Sequence, residues 1–311
     1  MIGSRHRLTR RRFRHFWLSL SYLAFLAVAW IPLTTLPAAA QPTLWECPTS
    51  VTQSEEPEAT PLPVSTPIAE LPIAGSDLTV FAAASLTEAF EAIEQELESA
   101  NPDLSITYNF GGSQALVTQL KEGAAADVFA SANVAQMDAA TEAGLIAGDA
   151  TTFVRNRLAI VTPADNPAGI ESAADLGVEG ILLVLAQSEV PVGQYAREAV
   201  CLMASDTATY GSDFVQRVAA NVVSEEEDVR DVLAKVALGE ADAGIVYVSD
   251  AAAAGEQVRV VDIPADVNVI ATYPIAVLAD GDQALGSAFV AYLLSDDGQV
   301  LLERFGFQPV A

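Results

Sequence analysis

Four short segments place a hydroxyl or an unencumbered backbone amide where an apolar strand-like run gives way to a helical one. Ser85 follows the run 78–82 and opens Ser85-Leu86-Thr87-Glu88, a capping-box pattern. Gly111-Gly112-Ser113 follows the run 105–110 and precedes a helical stretch from Gln114. Pro191-Val192-Gly193 stands between the run 181–185 and a helix from Gly193, and Glu227-Asp228-Val229 opens another helix with Asp228 as the expected cap. Helix starts carry free N–H groups and a partial positive charge, so hydroxyls and glycines at such turns suit the binding of an anion. One turn of this kind is ordinary capping chemistry. Four of them at the carboxyl ends of strands point to a single ligand site.

The residues absent are as informative. Both histidines, His6 and His15, fall within the first 40 residues. The remainder cannot build a Ser-His-Asp triad, an imidazole base or a histidine metal site. A serine hydrolase using Ser85 or Ser113 is the competing class. Neither serine sits in Gly-x-Ser-x-Gly, and neither Lys121 nor Lys235 has Ser-x-x-Lys spacing, so no enzymatic activity is expected. Asp127 and Asp242 follow helix-ending glycines and read as turn residues rather than an acid–base pair. The run Glu225-Glu226-Glu227-Asp228 reads as compensation of a helix dipole rather than a metal cluster. Arg230 could reach a bound anion but is expected to form a structural ion pair with the adjoining Asp228 and Glu227, and Tyr195, an alternative phenol donor, is expected from its helical pattern to pack in the core.

The elements that must position these turns occupy the chain beyond its first quarter. Residues 1–40 form a basic leader with six arginines, a mostly apolar run and a small-residue cleavage site at Pro37-Ala38-Ala39-Ala40, the pattern of an export signal. Cleavage or retention as an anchor, and the secretory or twin-arginine route, both stay open. Residues 41–76 hold seven of the 16 prolines and read as a disordered linker. Without the leader nine basic residues face 41 acidic ones, a net charge of −32 that repels nucleic acid and anionic lipid. Cys47 and Cys201 are open to pairing in an oxidising compartment, but Cys201, in a helical pattern, is more readily read as a buried free thiol.

From residue 77 onward short apolar runs alternate with Ala- and Leu-rich helical ones, the pattern of an α/β fold with largely parallel, helix-covered sheets. Strands are expected at 78–82, 105–110, 128–130, 158–162, 181–185, 243–248 and 273–278. Helices are expected at 86–98, 114–122, 134–143, 193–203, 213–220, 229–238, 283–293 and 298–305. The segment from Leu116 through Gly123 to Ala126-Asp127-Val128 is echoed from Leu233 through Gly239 to Ala241-Asp242-Ala243, which suggests two similarly built lobes facing one cleft.

Thr79-Val80-Phe81-Ala82-Ala83-Ala84-Ser85-Leu86-Thr87, Phe110-Gly111-Gly112-Ser113, Val190-Pro191-Val192-Gly193, Glu227-Asp228-Val229-Arg230, Gly244-Ile245-Val246-Tyr247 and Tyr273-Pro274-Ile275, in that order, resemble the periplasmic molybdate-binding proteins of ABC transporters. The ending Phe305-Gly306-Phe307 also fits, and the resemblance covers residues 78–308. It implies a two-lobed periplasmic-binding-protein fold of type II, with lobe I at 77–155 plus 280–311 and lobe II at 156–279. A tetrahedral dianion would sit in the cleft, held by hydroxyl and amide donors of Ser85 and Ser113, backbone N–H groups of Val192 and Val229, and the phenol of Tyr247. Val192 stands where the family often has alanine, a swap a backbone donor tolerates. The implied ligand is molybdate, with tungstate, and sulfate is the alternative oxyanion. No cofactor is implied beyond that ligand. The implied partner is the membrane permease of an importer, served by a monomer that is periplasmic or tethered outside the cytoplasmic membrane. A sensing domain that kept the fold and lost transport is the remaining reading.

Overall fold

A computed structural model describes Trp45, Cys47 and residues 76–310; the leader and the rest of the linker lie outside the described residues. Strand β1 (Ser76–Ala83) pairs in parallel with β2 (Leu104–Gly111) on one side and β3 (Val128–Ala130) on the other. Helices α1 (Thr87–Ala100), α2 (Ser113–Lys121) and α3 (Val134–Glu142) follow these strands in turn. α1 buries Phe90, Ile93 and Leu97, spaced three and four residues apart, and leaves its glutamates outward.

The second lobe repeats the plan. β5 (Leu183–Ala186) pairs in parallel with β6 (Val222–Glu226) and β7 (Ala243–Tyr247). Helices α4 (Pro191–Ser205), α5 (Phe214–Asn221), α6 (Val229–Ala237) and α7 (Val248–Ala254) connect or cover these strands. Two long strands, β4 (Thr151–Pro163) and β9 (Ile270–Val277), run antiparallel to each other and join the lobes. β4 continues onto β7 and carries β8 (Val258–Asp262) on its other side, while β9 continues onto β3. The sheet order is β2-β1-β3-β9-β4-β7-β5-β6. The parallel character expected of the sheets is therefore found at the two ends, and the middle is antiparallel.

Helices α8 (Gln283–Leu293) and α9 (Asp296–Arg304) return to the first lobe, where Phe289 meets the Phe90 ring edge-on at 5.8 Å. Among the described residues no helix is long and apolar enough to cross a membrane.

The echo between the lobes is a shared construction. Gly123 (φ 93°) and Gly239 (φ 72°) end α2 and α6 in the left-handed conformation that glycine adopts without steric cost. The aspartate that follows each then ties its strand to the neighbour. Asp127 accepts the Thr79 N–H at 2.7 Å, and Asp242 accepts the Leu182 N–H at 2.8 Å. Both carboxylates lie at strand starts, away from the helix-opening ends.

Several elements differ from expectation. β4 begins seven residues before the apolar run at 158–162, because Arg155, Asn156 and Arg157 interrupt the apolar pattern. Asn156 is nonetheless buried, its amide donating to Ser249 Oγ at 2.8 Å. Residues 222–226 form the edge strand β6, where charged side chains suit an unpaired flank. β8 and α7 were not anticipated either. Cys201 is not a free thiol: it is bonded to Cys47, with Cα atoms 5.6 Å apart. Trp45 stacks under the Arg197 guanidinium at 5.3 Å. The segment read as a free tether is thus pinned to α4 at these two residues.

Candidate functional site

The five residues expected to bind a ligand all line one cavity, each at the junction where a strand ends and a helix begins. Ser85 follows β1, Ser113 follows β2, Val192 opens α4 after β5, Val229 opens α6 after β6, and Tyr247 closes β7. Ala132, just beyond β3, lines it too. The unanticipated strand β6 is what brings Val229 into this ring. The cavity holds ≈ 210 Å³ of empty space counted out to its mouth.

Ser85 does not cap α1. Residues Ala84–Leu86 form a 3-10 turn, the N-cap of α1 is Leu86, and no side chain caps it. Thr87 Oγ1 instead donates back to the Ala84 carbonyl at 2.7 Å. The Ser85 hydroxyl is released from capping and shares a hydrogen bond of 2.8 Å with the Tyr273 hydroxyl. Tyr273 is held edge-on against Phe307 and Tyr247, ring centroids 5.7 Å away in each case, so the C-terminal Phe307 supports the site from beneath.

Ser113 is the first residue of α2, and its Oγ accepts the Ala132 N–H at 3.0 Å. That leaves its own hydroxyl proton and backbone N–H to be donated. At α4, Pro191 has no N–H, so Val192 supplies the first amide of that helix. At α6, Asp228 is the N-cap, as expected, and accepts the Arg230 and Asp231 N–H groups at 2.7 and 3.1 Å. Its carboxylate is spent on its own helix, which leaves the Val229 N–H uncommitted.

Tyr247 is the sharpest signal. Its hydroxyl is buried and meets no partner at full hydrogen-bond geometry, its one polar interaction being a weak one with the Tyr273 hydroxyl, which is already bonded to Ser85; burial first, then Tyr273, pushes its phenol well above the ordinary range. A buried orphan donor costs about 1–3 kcal/mol unless something fills the gap. Asp250, three residues on, accepts the Tyr247 N–H at 3.2 Å. Burial pushes the Asp250 carboxyl up to about 7, against the pull of Arg230 in the opposite direction.

No lysine or arginine lines the cavity. Arg230, expected to pair with Asp228 and Glu227, instead turns to Glu88 on α1, to the Ala84 carbonyl at 3.1 Å and towards Asp250 at 3.6 Å. Tyr195 is half-buried against the core, not on the cavity. Among the described residues no cluster of three or more His, Cys, Asp or Glu is placed to hold a metal ion. Tyr273 and Asp250 were given no role by the sequence. Asp250 had a usable signal, its place three residues after a strand end at a helix start, and Tyr273 had none short of the fold.

The profile of the bacterial extracellular solute-binding protein family matches residues 78–308. A molybdate-binding protein ModA of Mycobacterium tuberculosis is 43% identical over 231 residues, 74% of this chain and 84% of that protein. The ModA of Haemophilus influenzae is 31% identical over 75% of this chain and 91% of its own length. A substrate-binding domain assigned to a molybdenum ABC transporter of Clostridium difficile superposes with a TM-score of 0.57 at 31% identity, over 76% of this chain and 99% of that one.

Proposed function

The chain belongs to the bacterial extracellular solute-binding proteins, and on that premise we propose that it binds molybdate, and tungstate with it, between its lobes and delivers the anion to the membrane permease of an ABC importer. The observation that carries this reading is the composition of the cavity wall: hydroxyls and helix-start amides, a buried phenol without a full hydrogen-bond partner, no basic side chain, and one carboxylate, Asp228, that is engaged by the amides of its own helix. In our reading Ser85, Ser113 and Tyr247 donate hydroxyls, and Ser113, Val192 and Val229 donate backbone N–H groups. Such donors match an anion that only accepts, and the dipoles of α2, α4 and α6 supply the positive potential a net −32 surface lacks. A protonated oxyanion would turn its own O–H against donors. The ligand is cargo, not a cofactor, and the protein acts as an exported monomeric carrier rather than an enzyme.

Sulfate is the competing oxyanion, because a sulfate-binding protein of Synechocystis is 27% identical over 76% of this chain. Calorimetric titration of the disulfide-bonded chain after leader removal, with molybdate, tungstate, sulfate and phosphate in turn, separates the two. Tight binding of molybdate and tungstate alone supports the proposal. Tight binding of sulfate alone replaces it, and no binding by a folded sample refutes the carrier role.

A further inference from the structure

Arg230 stands where a cation is locally unfavourable, in the first turn of α6 at the positive end of the helix dipole. Its partners must account for that placement. The guanidinium reaches across the cleft, with Nη2 on Glu88 and Nε donating to the Ala84 carbonyl at 3.1 Å. Glu88 lies in the first turn of α1 and Ala84 adjoins Ser85, so both partners belong to the first lobe. Among the described residues the ion pairs Arg197–Glu225, Arg217–Asp213, Lys235–Glu226 and Arg259–Glu171 of the second lobe stay within it. On the Arg230 side the buried Asp250 stands 3.6 Å from Nε.

Neighbouring contacts follow the same line across the cleft. Gln114 Nε2 donates to the Glu227 carbonyl at 2.9 Å, and Asn133 Nδ2 donates to Gln194 Oε1 at 3.2 Å. A methyl group on Gly112 would come within 2.7 Å of the Glu227 carbonyl, so the lobes meet closely here. These contacts join residues more than 60 positions apart, and each must break if the lobes separate.

We propose that Arg230 is a closure latch: it leaves the anion to neutral donors and binds Glu88 and the Ala84 carbonyl of the opposite lobe, so that it sets how long the closed cleft holds its ligand. This rests on the two-lobed binding reading above and adds the control of release. Arg230 is a positioning residue, since its guanidinium is not part of the cavity wall. Its side chain and that of Glu88 keep 25% and 38% exposure, so solvent reaches the pair and screens it, which lets the latch open.

The test uses the disulfide-bonded chain and its Arg230→Gln, Arg230→Lys, Glu88→Gln and Arg230→Gln/Glu88→Gln variants. Molybdate dissociation is measured by competition, and the ligand-free radius of gyration by X-ray scattering. Each Gln variant is expected to speed dissociation about 5- to 20-fold, with the double variant no worse than the poorer single one. Ligand-free scattering should shift to a larger radius, while the midpoint of thermal unfolding moves little. Loss of affinity in Arg230→Gln with Glu88→Gln unaffected would make Arg230 a direct anion ligand and overturn the latch. Unchanged dissociation and scattering in both single variants would overturn it as well. If the wild-type chain binds no oxyanion, the ligand reading fails by itself, and the ligand-free scattering still decides the latch.

Discussion

Replacing Tyr247 by phenylalanine removes one oxygen atom, and the structure assigns that atom opposite effects with and without ligand. In the protein as described the hydroxyl is buried without a full hydrogen-bond partner. Its removal relieves a desolvation cost of about 1–3 kcal/mol, so the ligand-free variant should be as stable as the parent or more so. For a domain of this size 1 kcal/mol corresponds to about 2–4 °C, giving an unfolding midpoint that stays put or rises by several degrees. With an anion in the cavity the same hydroxyl becomes a donor to a charged acceptor, worth about 1.5–3 kcal/mol, and its loss should weaken binding roughly 10- to 150-fold. Thermal unfolding without ligand and calorimetric titration with molybdate read the two effects on one preparation. A variant that binds within twofold of the parent would refute the placement of Tyr247 in the donor ring. One that loses several degrees without ligand would show that the hydroxyl has a structural partner after all.

Asp250→Asn tests the buried carboxyl: its pKa is raised from 3.8 to about 7, so the folded chain holds a proton that the unfolded chain releases in between. The stability this group contributes is complete below about pH 4 and is lost as pH rises to about 7, by roughly 4 kcal/mol. The variant should gain stability relative to the parent at pH 8 but not at pH 4 in urea unfolding, and equal gains at both would contradict the assignment. Phe307→Ala should cost about 3–5 kcal/mol of stability and also weaken anion binding, because Tyr273 and with it Ser85 lose their support. A stability loss with unchanged affinity would separate the C-terminus from the site. Cys47→Ser/Cys201→Ser opens a cross-link between residues 154 apart, for which chain entropy sets an upper limit of about 5 kcal/mol. The unfolding midpoint should fall while molybdate affinity stays within about twofold, since Cys201 is not part of the cavity wall.

The helix starts were legible because their chemistry is local. A strand run, a turn of Gly, Ser or Pro, and an apolar period of 3.6 place Ser113, Val192 and Asp228 at helix openings within a few residues of chain. Ser85 shows where such reading stops. The pattern Ser-x-x-Glu is satisfied in sequence, yet the 3-10 turn moves the start of α1 to Thr87, and the hydroxyl goes to Tyr273, 188 residues away. Arg230 fails in the same manner, its acidic neighbours at hand in sequence but its guanidinium drawn across the cleft to Glu88. Nor could the composition of residues 41–76 reveal that Cys47 meets Cys201, since pairing depends on where α4 lies.

The sequence by itself determined the periodic elements, the donors available and the chemistry excluded, all of which depend on residue type and spacing over one or two turns. Only the tertiary structure decided which donors converge, which of them stay unpaired, and which charge spans the lobes. Those outcomes depend on β4 and β9 bringing two separately built parallel ends face to face, and contacts across such a join carry no local signal.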